Sequence, residues 1–423
     1  MRSIDEVIKE TATENVQVNS NSYQIERKEA SDSACIFFAF QTGNNQTVVI
    51  KVLKDFRDSR YKLDTVRGRQ QCQLEALRMN QKFTNNVYQG MGSIYTDNGK
   101  HIWDCDKSDI IHINTTYTDA SYIEKHLKPD MEYALIMGRL PENSRLDLLV
   151  AAGIRRQYIK PLLRALVSRI VRLHQDDISR PLSLNECDDN GYIWGSPEQI
   201  RSKLEQNLRF FDKVGAEDKS LYDHYSWLKS ALCDAVDTSR FRSYLEERLH
   251  KQQIKHCHGD LKTNNIWLEY IKGSDHTKHP VKVSILDAID FNANYSHIDV
   301  LSDIAMLAVD IEAYSEQQWM LLYLLDCYYK QTGLTNDSAA KTLLTYYIAE
   351  KAIVRAMVSI CCDRSYGNVP PNIEQRFLAI AAHNTTLLKE QLHYRKQLDY
   401  QKVWHIFFQS PARKPCTTPM PLE

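Results

Sequence analysis

The sequence predicts an α+β chain of two lobes: an antiparallel, strand-rich N-terminal lobe followed by a larger, mainly helical C-terminal lobe. Three observations carry this. Short runs of β-branched and aromatic residues crowd the chain up to about residue 137. Helical periodicity dominates from Leu140 onward. Polar motifs suited to phosphate chemistry fall near the junctions between these elements.

The first strands are expected at Tyr23–Lys28, Cys35–Phe40 and Thr47–Leu53, separated by turn-like polar segments. A helix follows over Thr65–Phe83, where Cys72, Ala76, Met79 and Phe83 form an apolar stripe at helical spacing. Further strands are expected at Gly92–Tyr95, Ile110–Asn114 and Glu132–Met137. In the second lobe, helices are expected at Gln157–Gln175, Pro197–Phe211, Tyr222–Gln252, Ile304–Ala313, Glu316–Gln331, Ser338–Ser359 and Ile373–His393. Two short strands, Asn265–Leu268 and Val281–Asp287, interrupt them as a hairpin. The division is therefore 1–137 for a strand-rich lobe, 138–409 for a helical lobe, and 410–423 for a proline-rich tail.

Composition narrows the function classes. The 423 residues are 43% hydrophobic and 25% charged, the balance of a soluble globular protein with a sizeable core. A formal charge of −1 argues against a dedicated nucleic-acid binder. The best apolar run, Trp319–Leu325, stops at Asp326 and is too short to span a bilayer. Met1–Lys9 carries Asp5 and Glu6 and no apolar stretch, unlike a secretory signal, so a cytoplasmic location and no membrane partner are expected. The ten cysteines form no C-x-x-C pair and are expected to be reduced thiols.

The sharpest motif is His258-Gly259-Asp260-Leu261-Lys262-Thr263-Asn264-Asn265, on a loop just before a short strand. Asp260 can orient an attacking hydroxyl and take its proton, and Asn265 can hold Mg²⁺. Lys262 adds positive charge beside the transferring group. In Ser284-Ile285-Leu286-Asp287, an apolar strand ends in a carboxylate, the placement of a metal ligand. Mg²⁺ binds one or two carboxylates plus substrate phosphates, so Asp287 with Asn265 forms the expected metal pair.

Upstream, Lys51 interrupts the apolar strand Val48–Leu53, and contact with nucleotide phosphates is the functional reason for it. Glu75, beside the stripe of the following helix, is the expected partner of Lys51; Lys54 falls on the opposite face. Backbone groups near Met137, where a buried strand runs into Gly138 and Pro141, can meet an adenine edge. Asp147 reads either as a ribose contact or as a solvated helix start.

The loop 258–265 followed by Leu286-Asp287-Ala288-Ile289-Asp290-Phe291-Asn292 resembles the signature of aminoglycoside phosphotransferases. It is most similar to the phosphotransferase half of bacterial fusion proteins in which such a kinase precedes a P-loop ATPase. The similarity extends over about residues 35–355 and includes 297–305. It implies a two-lobed protein-kinase-like fold, ATP and Mg²⁺ as cofactors, and transfer of the γ-phosphoryl group to an acceptor hydroxyl, on a small molecule. By that resemblance Lys51 and Glu75 hold phosphate, Asp260 is the base, Asn265 and Asp287 bind metal, and His258 and Asp303 brace the loop. Acidic residues such as Asp290, Asp299 and Glu312 would then line an acceptor pocket, although Asp299 equally suits a helix cap.

The sequence departs from the pattern in two places. Serines replace a glycine-rich loop around Glu29–Ser33. Lys262 stands where many small-molecule kinases of the class carry His and protein kinases carry Lys. The alternatives are accordingly a protein kinase on the same fold and a non-catalytic nucleotide-binding scaffold. No P-loop signature occurs, so the ATPase half is absent from this sequence.

Overall fold

In the computed structural model, residues 21–393 are described, apart from 32, 59–60, 85, 98, 115, 176–180, 184, 215–218, 272–279, 316, 318 and 367–371. The expected tail 410–423 lies outside them. The chain divides into two compact units, 1–142 with 284–293, and 143–283 with 294–423. The first unit thus takes back a short segment from late in the sequence, and that segment carries Asp287.

The first unit is built from β1 (Asn21–Ala30), β2 (Ala34–Gln41), β3 (Thr47–Leu53), the small hairpin β4 (Arg57–Asp58) and β5 (Tyr61–Lys62), helix α1 (Val66–Phe83), β6 (Tyr88–Thr96), β7 (Ile110–Ile113), helix α2 (Ala120–His126) and β8 (Tyr133–Gly138). The sheet runs β1-β2-β3-β8-β6-β7 and closes on itself, because β1 pairs with β2 along one side and β7 along the other. Closure removes the free edges that an open sheet would expose.

Alternation along the strands sorts the faces. Val48, Ile50 and Val52 of β3 point inward with Phe37, Ala39, Ile111, Ile113 and Ile136. Each Val, Ile or Phe among them contributes roughly 1.5–3 kcal/mol on full burial. Lys51 and Val49 fall on the outer face. The lysine therefore does not enter the apolar interior, as a lysine inside an apolar run suggests; the period of two turns it outward. A second apolar cluster covers part of the unit, with Leu74 and Leu77 of α1 against Met91 and Leu135. Thr65 caps α1 by accepting from the Gly68 N–H.

The second unit contains α3 (Leu146–Ala151), α4 (Arg156–Gln175), α5 (Pro197–Val214), α6 (Lys219–Asp237), α7 (Ser239–His250), β9 (Ile254–His256), β10 (Ile266–Tyr270), β12 (His297–Asp299), α9 (Val300–Tyr314), α10 (Trp319–Thr332), α11 (Ser338–Tyr366) and α12 (Ile373–His393). Strand β11 (Val281–Ile285), which pairs with β10, and the one-turn α8 (Ala293–Ser296) carry the chain across the unit boundaries. The single helix expected over Tyr222–Gln252 is two, broken at Thr238. That residue adopts an extended backbone and caps α7 through the Phe241 N–H.

Helix α9 is buried on nearly every face, as an almost uniformly apolar helix must be. Its aspartates Asp303 and Asp310 stand seven residues apart, on one side of the helix. The ribbon β9–β12, unforeseen from the sequence, pairs Ile254 with Asp299 and His256 with His297. It brings the loop after β9 to the start of α9. No helix among the described residues is long and apolar enough to cross a membrane.

Candidate active site

In the second unit, the loop after β9 is held from below by α9. Asp303 accepts from the His258 N–H at 3.2 Å and the Gly259 N–H at 2.9 Å, and His174 of α4 meets it at 3.3 Å. Asp303 is 2% exposed. Burial raises its carboxyl, but the hydrogen bond and charge of His174, the charge of His258 and the Gly259 N–H outweigh this and hold it below the usual range. Gly259 has φ +83°, a left-handed conformation that glycine adopts without a Cβ penalty. Four residues later the loop is tied to α9 again. Thr263 donates both its N–H and its hydroxyl to Asp310 Oδ2 at 3.0 Å, and Arg355 of α11 donates to Asp310 Oδ1 at 2.7 Å.

Between these ties stands Asp260. Its Oδ2 accepts from Lys262 Nζ at 2.6 Å, and Asn265 Nδ2 reaches its backbone oxygen at 3.0 Å and Oδ2 at 3.3 Å. Asp260, Lys262 and Asn265 are thus brought together. Asn265 uses its amide N–H for this, so Oδ1 is its atom suited to a cation.

In the first unit, Lys51 donates to Asp287 Oδ1 at 2.9 Å. The partner of the lysine is therefore Asp287. Glu75 lies instead beside Arg78 at 3.5 Å on its own helix, and Gln73 is the α1 residue that reaches the Lys51 carbonyl, at 3.4 Å. Asp287 raises the Lys51 ammonium above its usual value against the opposing effect of burial. Asp287 itself has φ +62°, a conformation costing about 1–3 kcal/mol for a residue with a side chain. Neighbouring polar groups hold it there: the Asp287 N–H donates to the Tyr88 hydroxyl at 3.2 Å, and the Ala288 N–H to Asn80 Oδ1 at 2.9 Å. Asp290 is pushed up to about 7 by burial, with Lys51 opposing and Asp287 adding to the shift.

Register shows which main-chain groups near Met137 lie beyond the ladder. Its cross-strand partners are Val49 on β3 and Tyr88 on β6, so its main-chain groups face neighbouring strands. β8 ends at Gly138, and Arg139 and Leu140 carry the first main-chain groups beyond the ladder. The Met137 side chain instead continues a half-buried row with Phe38 and Val49 on the outer face, two residues along β3 from Lys51. Arg27 lies 4.0 Å and Arg139 5.5 Å from the Phe38 ring centre.

Other expected residues have structural partners. Asp147 pairs with Arg145 at 2.7 Å, in keeping with its helix-start reading. Lys54 donates to the Ser31 carbonyl. Asp299 is 1% exposed, caps α9 through the Leu301 N–H and is gripped by Arg248 at 2.7 and 2.8 Å. Its carboxylate is therefore engaged within the fold. Tyr88, Asn80, His174, Thr263, Asp310 and Arg355 were not singled out in the sequence. An aspartate at position 310 inside a long apolar helix was the one visible signal.

Asp287 in the first unit and Asn265 Oδ1 in the second are each oxygen donors of the kind a hard cation such as Mg²⁺ prefers. A softer trio, His174, Cys257 and Asp303, also lies within 4.8 Å and is fully buried. There the Asp303 oxygens are already engaged by two main-chain N–H groups and His174, so the trio is a brace under the loop.

No protein-family model matches the chain. Uncharacterized proteins of Mycobacterium bovis and of two Mycobacterium tuberculosis strains are 25% identical over 242 residues, which is 56% of this chain. The chain's match spans 42% of the length of these relatives. Among solved structures, a Plasmodium vivax ethanolamine kinase is 10% identical, with a TM-score of 0.42 over 91% of this chain and 87% of that one. A choline kinase from Cryptosporidium parvum is 11% identical, with a TM-score of 0.45 over 95% and 98%. Scores this low carry no argument about activity.

Proposed function

We propose that this protein is a phosphotransferase that moves the γ-phosphoryl group of ATP onto an alcohol hydroxyl, with a small molecule as acceptor. The observation that supports it most is the Asp260 loop. A carboxylate flanked by a lysine and an asparagine is held at fixed geometry by two buried aspartates of one helix. Phosphoryl transfer needs little covalent help from the protein and depends on positioning and charge.

In this reading Asp260 orients the acceptor O–H and receives its proton as the oxygen attacks phosphorus. Lys262, 2.6 Å from Asp260, places positive charge by the transferring group. Lys51 binds nucleotide phosphate. The half-buried row Phe38, Val49 and Met137 offers an apolar platform for the base, and main-chain groups at Arg139 and Leu140 meet its edge. Asp287 and Asn265 serve as metal ligands; bound Mg²⁺ would neutralise phosphate charge. The salt bridge of Lys51 to Asp287 is then exchanged when phosphate and cation arrive, each taking the partner of opposite charge.

The test is transfer of labelled γ-phosphate from ATP to a panel of alcohols, amino alcohols and aminoglycosides, with wild type beside Asp260→Asn. Labelled product from the wild type alone supports the reading. Absence of product together with absence of Mg²⁺-dependent ATP binding would overturn it in favour of a scaffold.

A further inference from the structure

A second polar site lies in the helical unit. α5, β12 and α11 line a small cavity. Its wall includes Lys203, Gln199, His297, Glu350, Tyr346 and Tyr347. Tyr346 and Tyr347 are 1% and 2% exposed, and the hydroxyl of each lacks a hydrogen-bond partner among the described residues. An unsatisfied buried hydroxyl is costly, so both call for a partner that the described residues do not supply.

The charges of the wall do not cancel. Glu350 is neutralised by Lys351 at 3.1 Å and accepts from Asn207 at 3.1 Å. Asp299, also in the wall, is neutralised by Arg248. Lys203 is 8% exposed and makes no ion pair among the described residues; its ammonium lies 6.0 Å from the centre of the Tyr295 ring. That leaves one buried ammonium without an ion-pair partner among the described residues, which either gives up its proton or takes an anion beside it. Burial and Lys351 press this ammonium down to about 7, with Glu350 opposing.

We propose that the cavity binds a small monoatomic anion of chloride size, held by the Lys203 ammonium and the Tyr346 and Tyr347 hydroxyls. The donor set and the surplus positive charge exclude a cation. The site is independent of the phosphotransfer reading, since none of its donors belongs to the Asp260 loop.

The first experiment is thermal unfolding of the full chain at about pH 6, exchanging sodium gluconate for sodium chloride at constant ionic strength. A saturable rise of about 1–2 °C is expected in the wild type and not in Lys203→Met, because an anion that binds only the folded state stabilises it by mass action. Tyr346→Phe and Tyr347→Phe, which keep the ring, should each weaken the effect. At about pH 9 the wild-type effect should vanish as Lys203 loses its charge. Lys351, Glu350, Cys257, Tyr295, Asp299 and His297 also face this lysine or its cavity, so the pH arm is repeated in Lys203→Met, where no chloride effect should appear at either pH. Crystals soaked in bromide should show its anomalous signal in the cavity. An equal chloride effect in wild type and Lys203→Met, or an ordered water in the cavity without bromide, would overturn the proposal.

Discussion

Lys51 and Asp287, 236 residues apart in sequence, meet at 2.9 Å in the same unit. The contact requires the chain to return to the strand-rich unit after building much of the helical one, and it pairs a would-be phosphate ligand with a would-be metal ligand. On the proposed reading, each of the two would exchange the other for a ligand of opposite charge.

The first consequence concerns Asp287. Asp287→Ala should abolish the Mg²⁺-dependent part of the rise in unfolding temperature produced by ATP. Titrating ATP with and without Mg²⁺ by thermal unfolding measures this. A metal-dependent rise of unchanged size in the variant would remove Asp287 from the metal site.

Lys51→Met should raise the ATP dissociation constant by about tenfold or more, the effect of losing one charged hydrogen bond worth about 1.5–3 kcal/mol. Calorimetric titration reads it directly. Unchanged affinity would place the phosphates elsewhere.

Asp260→Asn keeps the shape of the loop but removes the proton acceptor. Turnover should fall by about 10²–10⁴-fold while ATP affinity stays near the wild-type value. Equal turnover in the two proteins would eliminate Asp260 as the base.

Asp310 joins Thr263 and Arg355 in the interior. Asp310→Ala leaves the Arg355 charge uncompensated and should destabilise the fold by about 3–5 kcal/mol. The double variant Asp310→Ala/Arg355→Met should recover much of that loss. Urea unfolding of the single and double variants decides it; a double variant no better than Asp310→Ala would show that the buried charge is not the cause.

The pH dependence of stability tests Lys203. Its folded-state pKa of about 7 lies below the ordinary lysine value. Between the two values the unfolded chain binds a proton that the folded chain does not, so stability rises with pH from about 7 to about 10.5. Lys203→Met should flatten that rise in urea titrations run without halide. An identical slope in both proteins would mean that the rise has another source.

Much of the architecture was legible because it is local. Thr47–Leu53 and Ile373–His393 have the bounds expected of them, since a strand of alternating burial and a long helix reveal themselves by period alone. The reading faltered where a single residue overrides the period, as at Thr238, or where pairing partners are distant, as in the three-residue strands β9 and β12. Asp260, Lys262 and Asn265 could be grouped because they share one loop.

By itself, the sequence determined the chemical types available: a carboxylate, a lysine and an amide on one loop, and an aspartate ending an apolar strand. Only the tertiary structure decided who partners whom. It assigned Asp287 rather than Glu75 to Lys51, spent Asp299 on Arg248, and put Asp303 and Asp310 under the loop. The physical reason is that a charged side chain inside a protein must find its counterpart in space, and burial leaves few counterparts within reach. Spacing along the chain says which groups exist; the folded neighbourhood, through desolvation and distance, says which of them neutralise each other and which remain for a ligand.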